Sequence, residues 1–479
     1  MGEGRIGLLA LPVLVLALAL LAVWVVVFSR EEGLAEAQNA SGSTTIPTEP
    51  AASASAVPRE LARAWQAEDV PLPETAGETG GSGTGEGAGN AGTGAAGLPR
   101  LWAHGESVTL VSEAGITGYA TRDGLPAWQA EPPGGGNGPC AASGRVNAEG
   151  VGAVLYTAKE NGSCSVVAAV DTVAGEVLWA ADLSRPGLAV SPADVAVSMG
   201  ETAVAVSLDP DGAAPDFHRF SAGNGEALAL PQPPGAAGGS APDCGAGRAE
   251  ILAVRHAGSR IVALSGCTGT AGTGPDAGGA PDALSVYHAD SGELEWSRPL
   301  TDGEFAFTGL LAGDPVLLRQ DQRVVAYSEN GEVLWELPAR AAGSGGGAGG
   351  LGGPAASVSA VTGDVLAVSS GEGQRVLTGF GLADGVERWS TELPGVAQQF
   401  GTDHNGQLLL GCTREDGTLL LLWVDPASGA QTPAGAVDLD RQRAGDRHVL
   451  ARDEDQFYLL TPVGPQGAPT ALRLRAYER

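Results

Sequence analysis

The chain has 479 residues and a formal net charge of −29, from 56 acidic and 27 basic side chains, with 74 glycines. That acidity excludes a nucleic-acid partner, because phosphate binding needs clustered Lys and Arg. The glycines keep no three-residue period, which excludes collagen. The length fits two to four ordinary domains, or one large β barrel or propeller.

Residues 1–5 precede an uncharged apolar run, residues 6–28. About 20 apolar residues cross a bilayer core as a helix, and this run exceeds the roughly 7–15 residues of a signal-peptide core. The acidic pair Glu31-Glu32 separates it from Leu34-Ala35-Glu36-Ala37, the segment most like a cleavage site. An uncleaved transmembrane helix is therefore expected, with a cleaved secretory signal as the rival reading. Arg5 and the α-amino group lie before the run and Arg30 after it, a slight positive-inside asymmetry. The expected location is the plasma membrane, single-pass, with residues 1–5 cytoplasmic and the C-terminal domain outside. Residues 29–58 are rich in Ala, Ser, Thr, Pro and Glu and read as a flexible linker, with a mean reach of about 30 Å.

The rest of the chain, residues 59–479, carries a repeat. Its clearest copies are VVAAVDTVAGEVLW (Val166–Trp179), LSVYHADSGELEW (Leu284–Trp296) and VVAYSENGEVLW (Val324–Trp335). Each is a β-prone run, a polar turn closing on glycine, then a second strand. The turn glycines Gly124, Gly175, Gly225, Gly292, Gly331, Gly385 and Gly429 recur at a mean spacing of about 51 residues. Four residues later stand Trp128, Trp179, Trp296, Trp335 and Trp389, replaced by Ala229 and Pro433 in the other two copies. Asp-Gly and Asn-Gly pairs such as Asp123-Gly124 and Asn330-Gly331 suit hairpin turns. Two more short strands precede each hairpin. Four short strands per 40–50 residues is the mark of a propeller blade, with the number read off this spacing.

The fold class expected is all-β, an eight-bladed propeller with seven blades as the alternative. The last unit, Gln456–Pro462 and Leu472–Arg479, lacks its tryptophan-bearing strand. Ala64-Trp65-Gln66-Ala67-Glu68 repeats Ala127-Trp128-Gln129-Ala130-Glu131 letter for letter. The segment around Trp65 is therefore expected to return as the outer strand of the last blade; an amphipathic helix over Arg59–Asp69 is the rival reading. Residues 79–94 and 344–353 are glycine-rich and read as loops.

At these residues the chain resembles the quinoprotein-like (PQQ-like) β-propeller repeat proteins, whose repeat runs apolar strand, Asp-x-x-[ST]-Gly, then a strand with Trp. Asp171–Trp179 and Asp425–Gly429 match closely, and Ala289–Gly292 loosely. The glycine abundance and the single lysine, Lys159, suit a GC-rich genome such as an actinobacterial one. The resemblance implies that the repeat tryptophans dock neighbouring blades. Members that use pyrroloquinoline quinone share a vicinal Cys-Cys disulfide, a catalytic Asp and calcium-ligating acidic and amide residues. This sequence has no Cys-Cys pair and no acidic cluster at a matching place, so no PQQ, and no cofactor, is expected. Other members are non-catalytic scaffolds for protein contacts.

Cys140 and Cys164 are 24 residues apart and Cys244 and Cys267 are 23 apart, each pair bracketing the opening strands of a blade. That recurrence points to two disulfides, with separately buried thiols as the alternative. Disulfides persist outside the cytoplasm, in keeping with the expected location. Cys412 stands alone and reads as buried. His104, His218, His256, His288, His404 and His448 are scattered, with no metal-ligand spacing. Asp209-Pro210-Asp211-Gly212 with Asp216 is a weak calcium candidate, lacking the full ligand pattern. No catalytic residue stands out. The expected function is an extracytoplasmic scaffold that binds an envelope protein or a ligand. A quinone-dependent oxidoreductase, or another enzyme with a channel site, is the alternative. The acidic surface reads as solubilising, or as complementary to a basic partner.

Overall fold

The computed structural model describes residues 59–71, 98–134, 136–160, 162–185, 189–192, 195–208, 216–229, 248–257, 259–268, 283–300, 307–320, 323–338, 359–371, 374–402, 407–439, 448–464 and 470–479. The expected transmembrane helix, the linker, both glycine-rich loops and Asp209–Asp211 lie outside the described residues.

The strands form eight separate antiparallel sheets, the blades of an eight-bladed propeller. Blade 1 holds Arg100–His104, Ser107–Ser112, Gly115–Ala120 and Pro126–Ala130, and blade 2 holds Gly136–Ala142, Val151–Ala158, Cys164–Asp171 and Glu176–Asp182. Among the described residues blade 3 has three strands, Val195–Met199, Ala203–Leu208 and Asp216–Ser221. Blade 4 holds Arg248–Ala257, Arg260–Thr268, Ala283–His288 and Leu294–Pro299, and blade 5 holds Phe307–Gly313, Val316–Gln320, Arg323–Tyr327 and Val333–Pro338. Blade 6 runs through Ser359–Thr362, Val365–Ser370, Val376–Gly381 and Glu387–Glu392, and blade 7 through Val396–Thr402, Leu408–Thr413, Thr418–Val424 and Gln431–Asp438. Blade 8 has Val449–Arg452, Gln456–Val463 and Ala471–Glu478.

Within a blade the strands pair in sequence order, so hairpins connect them. The second and third strands are packed on both sheet faces by neighbouring blades. They read as nearly unbroken apolar runs, and Ala203–Leu208 and Leu408–Thr413 are buried at every position. Fourth strands are outermost and alternate, as Glu176–Asp182 does between exposed and half-buried residues. First strands face the axis, and that of blade 1 lies beside that of blade 8, closing the ring.

Closure uses both ends of the propeller segment. Arg63–Gln66 pairs antiparallel with Ala471–Glu478, placing Trp65 opposite Ala476, and Val70 pairs with Leu472 further along. The segment is a strand, not a helix. Just before it, the Leu61 N–H donates to the Ala436 carbonyl of blade 7 at 2.9 Å, and the Ala436 N–H donates to the Arg59 carbonyl at 3.0 Å. One short stretch therefore ties blade 7 to blade 8 and supplies the fourth strand of the latter. The returning strand covers the edge that Ala471–Glu478 would otherwise present.

The repeat turns differ in detail from a two-residue hairpin. Only the glycine takes the left-handed conformation: the seven turn glycines have φ between 65° and 81°. The preceding Asp or Asn keeps negative φ and acts through its side chain. Asp123, Asn224 and Asp384 each accept the N–H two residues on, at 3.2, 3.0 and 3.0 Å.

Candidate functional site

The repeat residues build the joints between blades. Each tryptophan lies over the turn glycine of the next blade: Trp65 over Gly124, Trp128 over Gly175, Trp179 over Gly225, Trp296 over Gly331, Trp335 over Gly385 and Trp389 over Gly429. A methyl group on Gly331 would sit 2.7 Å from the Trp296 ring, so the joint needs glycine for space as well as for φ. The indole N–H then finds the carbonyl three residues before that glycine. Trp65 donates to Thr121, Trp179 to Ala222, Trp335 to Leu382 and Trp389 to Pro426, at 2.6–2.7 Å. Trp128 and Trp296 occupy the same position, but among the described residues their N–H has no acceptor.

Blade 3 has no tryptophan to offer blade 4. Arg219, on the third strand of blade 3, fills the place and packs on Gly292. It is 1% exposed. Its Nη2 donates to the carbonyls of Ala289 and Asp290 at 2.7 and 2.6 Å, and its Nη1 to that of Ala229 at 2.7 Å. Ala289 stands three residues before Gly292, so the guanidinium reaches the same acceptor that an indole uses elsewhere. Burial lowers the pKa of Arg219, and the nearby Asp290 carboxylate opposes that shift.

The joint from blade 7 to blade 8 departs again, because Pro433 replaces the tryptophan. Leu61 covers Gly435 there, and Trp423 stacks toward Phe457 at 6.3 Å between centroids. The guanidinium groups of Arg452 and Arg479 lie 5.3 and 5.2 Å from the Trp423 ring centroid, within cation–π range. Nearby, a cavity of about 360 Å³ opens between the first strands of blades 1 and 8. Arg145 and Arg452 are its charged lining; the other lining residues are Leu, Ala, Trp, Val and Gly.

The singled-out cysteines divide. Cys140 and Cys164 form a disulfide joining the first and third strands of blade 2. Cys244 lies outside the described residues, so its pairing with Cys267 does too. Cys412 is free and buried, and burial pushes its thiol pKa up to about 12, so it is no nucleophile. Asp216, from the calcium candidate, is engaged by Arg185 and by His218 Nε2, each at 2.9 Å. Among the described residues, no three His, Cys, Asp or Glu side chains form a group able to hold a metal ion.

The turn face has a different character. Strand order places the first-to-second and third-to-fourth turns of every blade on one face of the ring. Contacts between blades agree: Thr202 in a first turn of blade 3 donates to Asp290 in a third-to-fourth turn of blade 4 at 2.9 Å. The exposed large apolar side chains among the described residues are Leu125, Val173, Leu178, Leu294, Val333, Leu334 and Val386. All lie in third-to-fourth turns or in the first three residues of the fourth strand.

Residues 240–411 match the family model described as PQQ_2: Outer membrane protein assembly factor BamB. Over that stretch the chain is similar to PQQ-like propeller repeats. Solved structures similar in architecture include the computationally designed Ika8 protein, at 12% identity over 81% of this chain and 98% of that one, with a TM-score of 0.49. BamB from Moraxella catarrhalis is 12% identical over 80% and 94%, with a TM-score of 0.40. A quinohemoprotein alcohol dehydrogenase from Pseudomonas putida HK5 is 11% identical over 88% and 76%, with a TM-score of 0.47. No curated protein matches the chain in sequence.

The described residues do not fit a quinone held with calcium. The axial cavity presents two guanidinium groups and neither a carboxylate nor an amide side chain, and the disulfide joins residues 24 apart rather than neighbours. No catalytic step is derived through that cofactor.

Proposed function

We propose that this protein is a non-catalytic binding scaffold, held at the outer side of the plasma membrane by residues 6–28. One observation carries the reading: the exposed large apolar side chains among the described residues are confined to one face of the ring. Scattered apolar residues need no explanation, whereas their restriction to one set of hairpins is what a contact surface looks like. The repeat tryptophans, turn glycines and Arg219 serve the joints between blades. The Cys140–Cys164 disulfide and the apolar run support the extracytoplasmic placement. An envelope protein is the partner class that suits this location.

Two measurements test the reading. The full chain, supplied with pyrroloquinoline quinone and calcium, is expected to reduce an artificial electron-acceptor dye no faster than buffer; sustained turnover overturns the scaffold assignment. A reporter fused after Arg479 is expected to be reached by protease added to intact cells; full protection overturns the placement.

A further inference from the structure

The arc formed by blades 4, 5 and 6 on the turn face combines two features. The docking of Trp296 on Gly331 and of Trp335 on Gly385 sets the three hairpins side by side. Leu294, Val333, Leu334 and Val386 project from them, 39% to 54% exposed. Carboxylates adjoin three of the four apolar residues in sequence: Glu293 before Leu294, Glu332 before Val333, and Glu387 after Val386. Glu329 adds a fourth, in the blade 5 turn.

The local cations offset this arc only in part: Arg298 reaches into the blade 5 turn, where its Nη1 donates to the Gly331 carbonyl at 3.3 Å. Arg260 is taken up by Glu295 at 2.7 Å and Asp314 at 3.0 Å, and Arg388 by Asp384 at 2.6 Å. Among the described residues, Glu293, Glu329, Glu332 and Glu387 have no ion-pair partner. Among the described residues of the opposite face, Lys159 stands beside Glu160 and Arg414 beside Glu415 and Asp416, while Arg375 pairs with Glu415 at 3.2 Å.

We propose that the turn face of blades 4–6 docks a protein partner through a basic amphipathic surface, one that sets Lys or Arg side chains around an apolar stripe. The inference rests on the scaffold reading and gives the chemistry of its partner. Apolar contacts at the centre supply the area removed from water, and flanking unpaired carboxylates steer a cationic partner and reject an acidic one. A second copy of this chain is disfavoured, because its own arc carries the same negative charge.

The test uses the full chain in mild detergent and a labelled amphipathic helix made of Lys and Leu. A second peptide has the same lysines with Ser in place of Leu. Reversing Glu329→Lys, Glu332→Lys and Glu387→Lys together is expected to weaken the Lys/Leu peptide about ten-fold or more. The same charge change on the other face, Glu113→Lys, Glu131→Lys and Glu160→Lys, is expected to cost less than about two-fold. Val333→Ser with Leu334→Ser is expected to cost about five-fold. Unchanged thermal melting qualifies each variant, and Glu→Gln versions replace any reversal that fails this check. Equal losses from both reversals reduce the effect to net charge and overturn the proposal. Equal binding of the Ser peptide removes the apolar contact and overturns it too.

Photo-crosslinkers in native membranes then separate this inference from the scaffold reading. Adducts to another protein from position 294 or 386, and not from 113, support it. Adducts from position 113 alone overturn the docking arc and leave the scaffold standing. No adduct from either face overturns both, and an adduct with twice the chain's mass identifies a second copy and overturns the partner assignment.

Discussion

The joint from blade 2 to blade 3 and the joint from blade 3 to blade 4 solve one problem with different chemistry. In the first, Trp179 covers Gly225 and donates to the Ala222 carbonyl at 2.7 Å. In the second, Arg219 covers Gly292 and donates to the carbonyls of Ala289 and Asp290. Both place a flat, hydrogen-bonding group on a glycine in a left-handed turn. The indole contributes mostly buried apolar area and one bond, whereas the guanidinium contributes a fork of bonds and bears a desolvation cost. What recurs among these joints is thus a flat group packed on a left-handed turn glycine, and tryptophan is one way of supplying it.

Deleting a joint should show the largest effect. Trp335→Ala removes a large buried ring and the donor to Leu382, and a loss of about 4 kcal/mol is expected from urea unfolding. Arg219→Ala leaves three carbonyls without their donor, and a loss of about 3 kcal/mol is expected. If Arg219→Ala proved neutral, the two joints would not be equivalents. Arg219→Lys keeps the charge but cannot reach several carbonyls at once, so about 2 kcal/mol should be lost. A full rescue by lysine would show that charge, not the fork, holds blades 3 and 4 together.

A finer test separates ring from donor. Trp335→Phe keeps the aromatic face and gives up the bond to Leu382, so about 1 kcal/mol should be lost. Trp296→Phe gives up an N–H that has no acceptor among the described residues, so it should be neutral within about 0.5 kcal/mol. Equal losses in the two variants would remove the hydrogen bond from the account of the joints.

The tryptophan joints were legible in the sequence because both partners sit at a fixed local spacing. The turn glycine and the tryptophan four residues later come from one hairpin, and neighbouring copies bring them together. The ring closure was legible for the same reason, since the Trp65 segment repeats the Trp128 segment. Arg219 was not legible. It stands ten residues before Ala229, on the preceding strand, and nothing in a repeat alignment points from a missing tryptophan to another strand. The joint from blade 7 to blade 8 was hidden for a related reason. Leu61, Trp423 and Arg479 are remote in sequence and meet only when the ring closes. The docking arc depends on exposure. Leu294 and Val333 read as ordinary strand residues until the blade order shows that outermost strands leave them uncovered. Net charge behaves alike: −29 gives no direction until the turns are assigned to a face.

The smallest expected effect lies at the closing strand, where the joint also has a polar clasp. Arg473 grips Asp69 with two bonds of 2.6 Å, holding the end of the returning segment on the third strand of blade 8. The hydrogen bond from Arg473 lowers the Asp69 pKa below the ordinary carboxylate value, against a smaller opposing effect of burial. A carboxyl with a lowered folded pKa stabilises the fold above its unfolded pKa, and the contribution disappears as pH falls through the folded value. The two side chains keep 27% and 35% of their surface in solvent, so screening limits the pair to about 0.5 kcal/mol. Asp69→Asn should therefore lower stability by about that amount at neutral pH, and the difference from the parent should close as pH falls below about 4. High salt should shrink it as well. A Trp65→Ala variant at the same strand should lose several times more and keep that loss at every pH, because the indole does not titrate. If the two variants instead shared one pH dependence, ring closure would rest on the ion pair, and the indole over Gly124 would be a bystander.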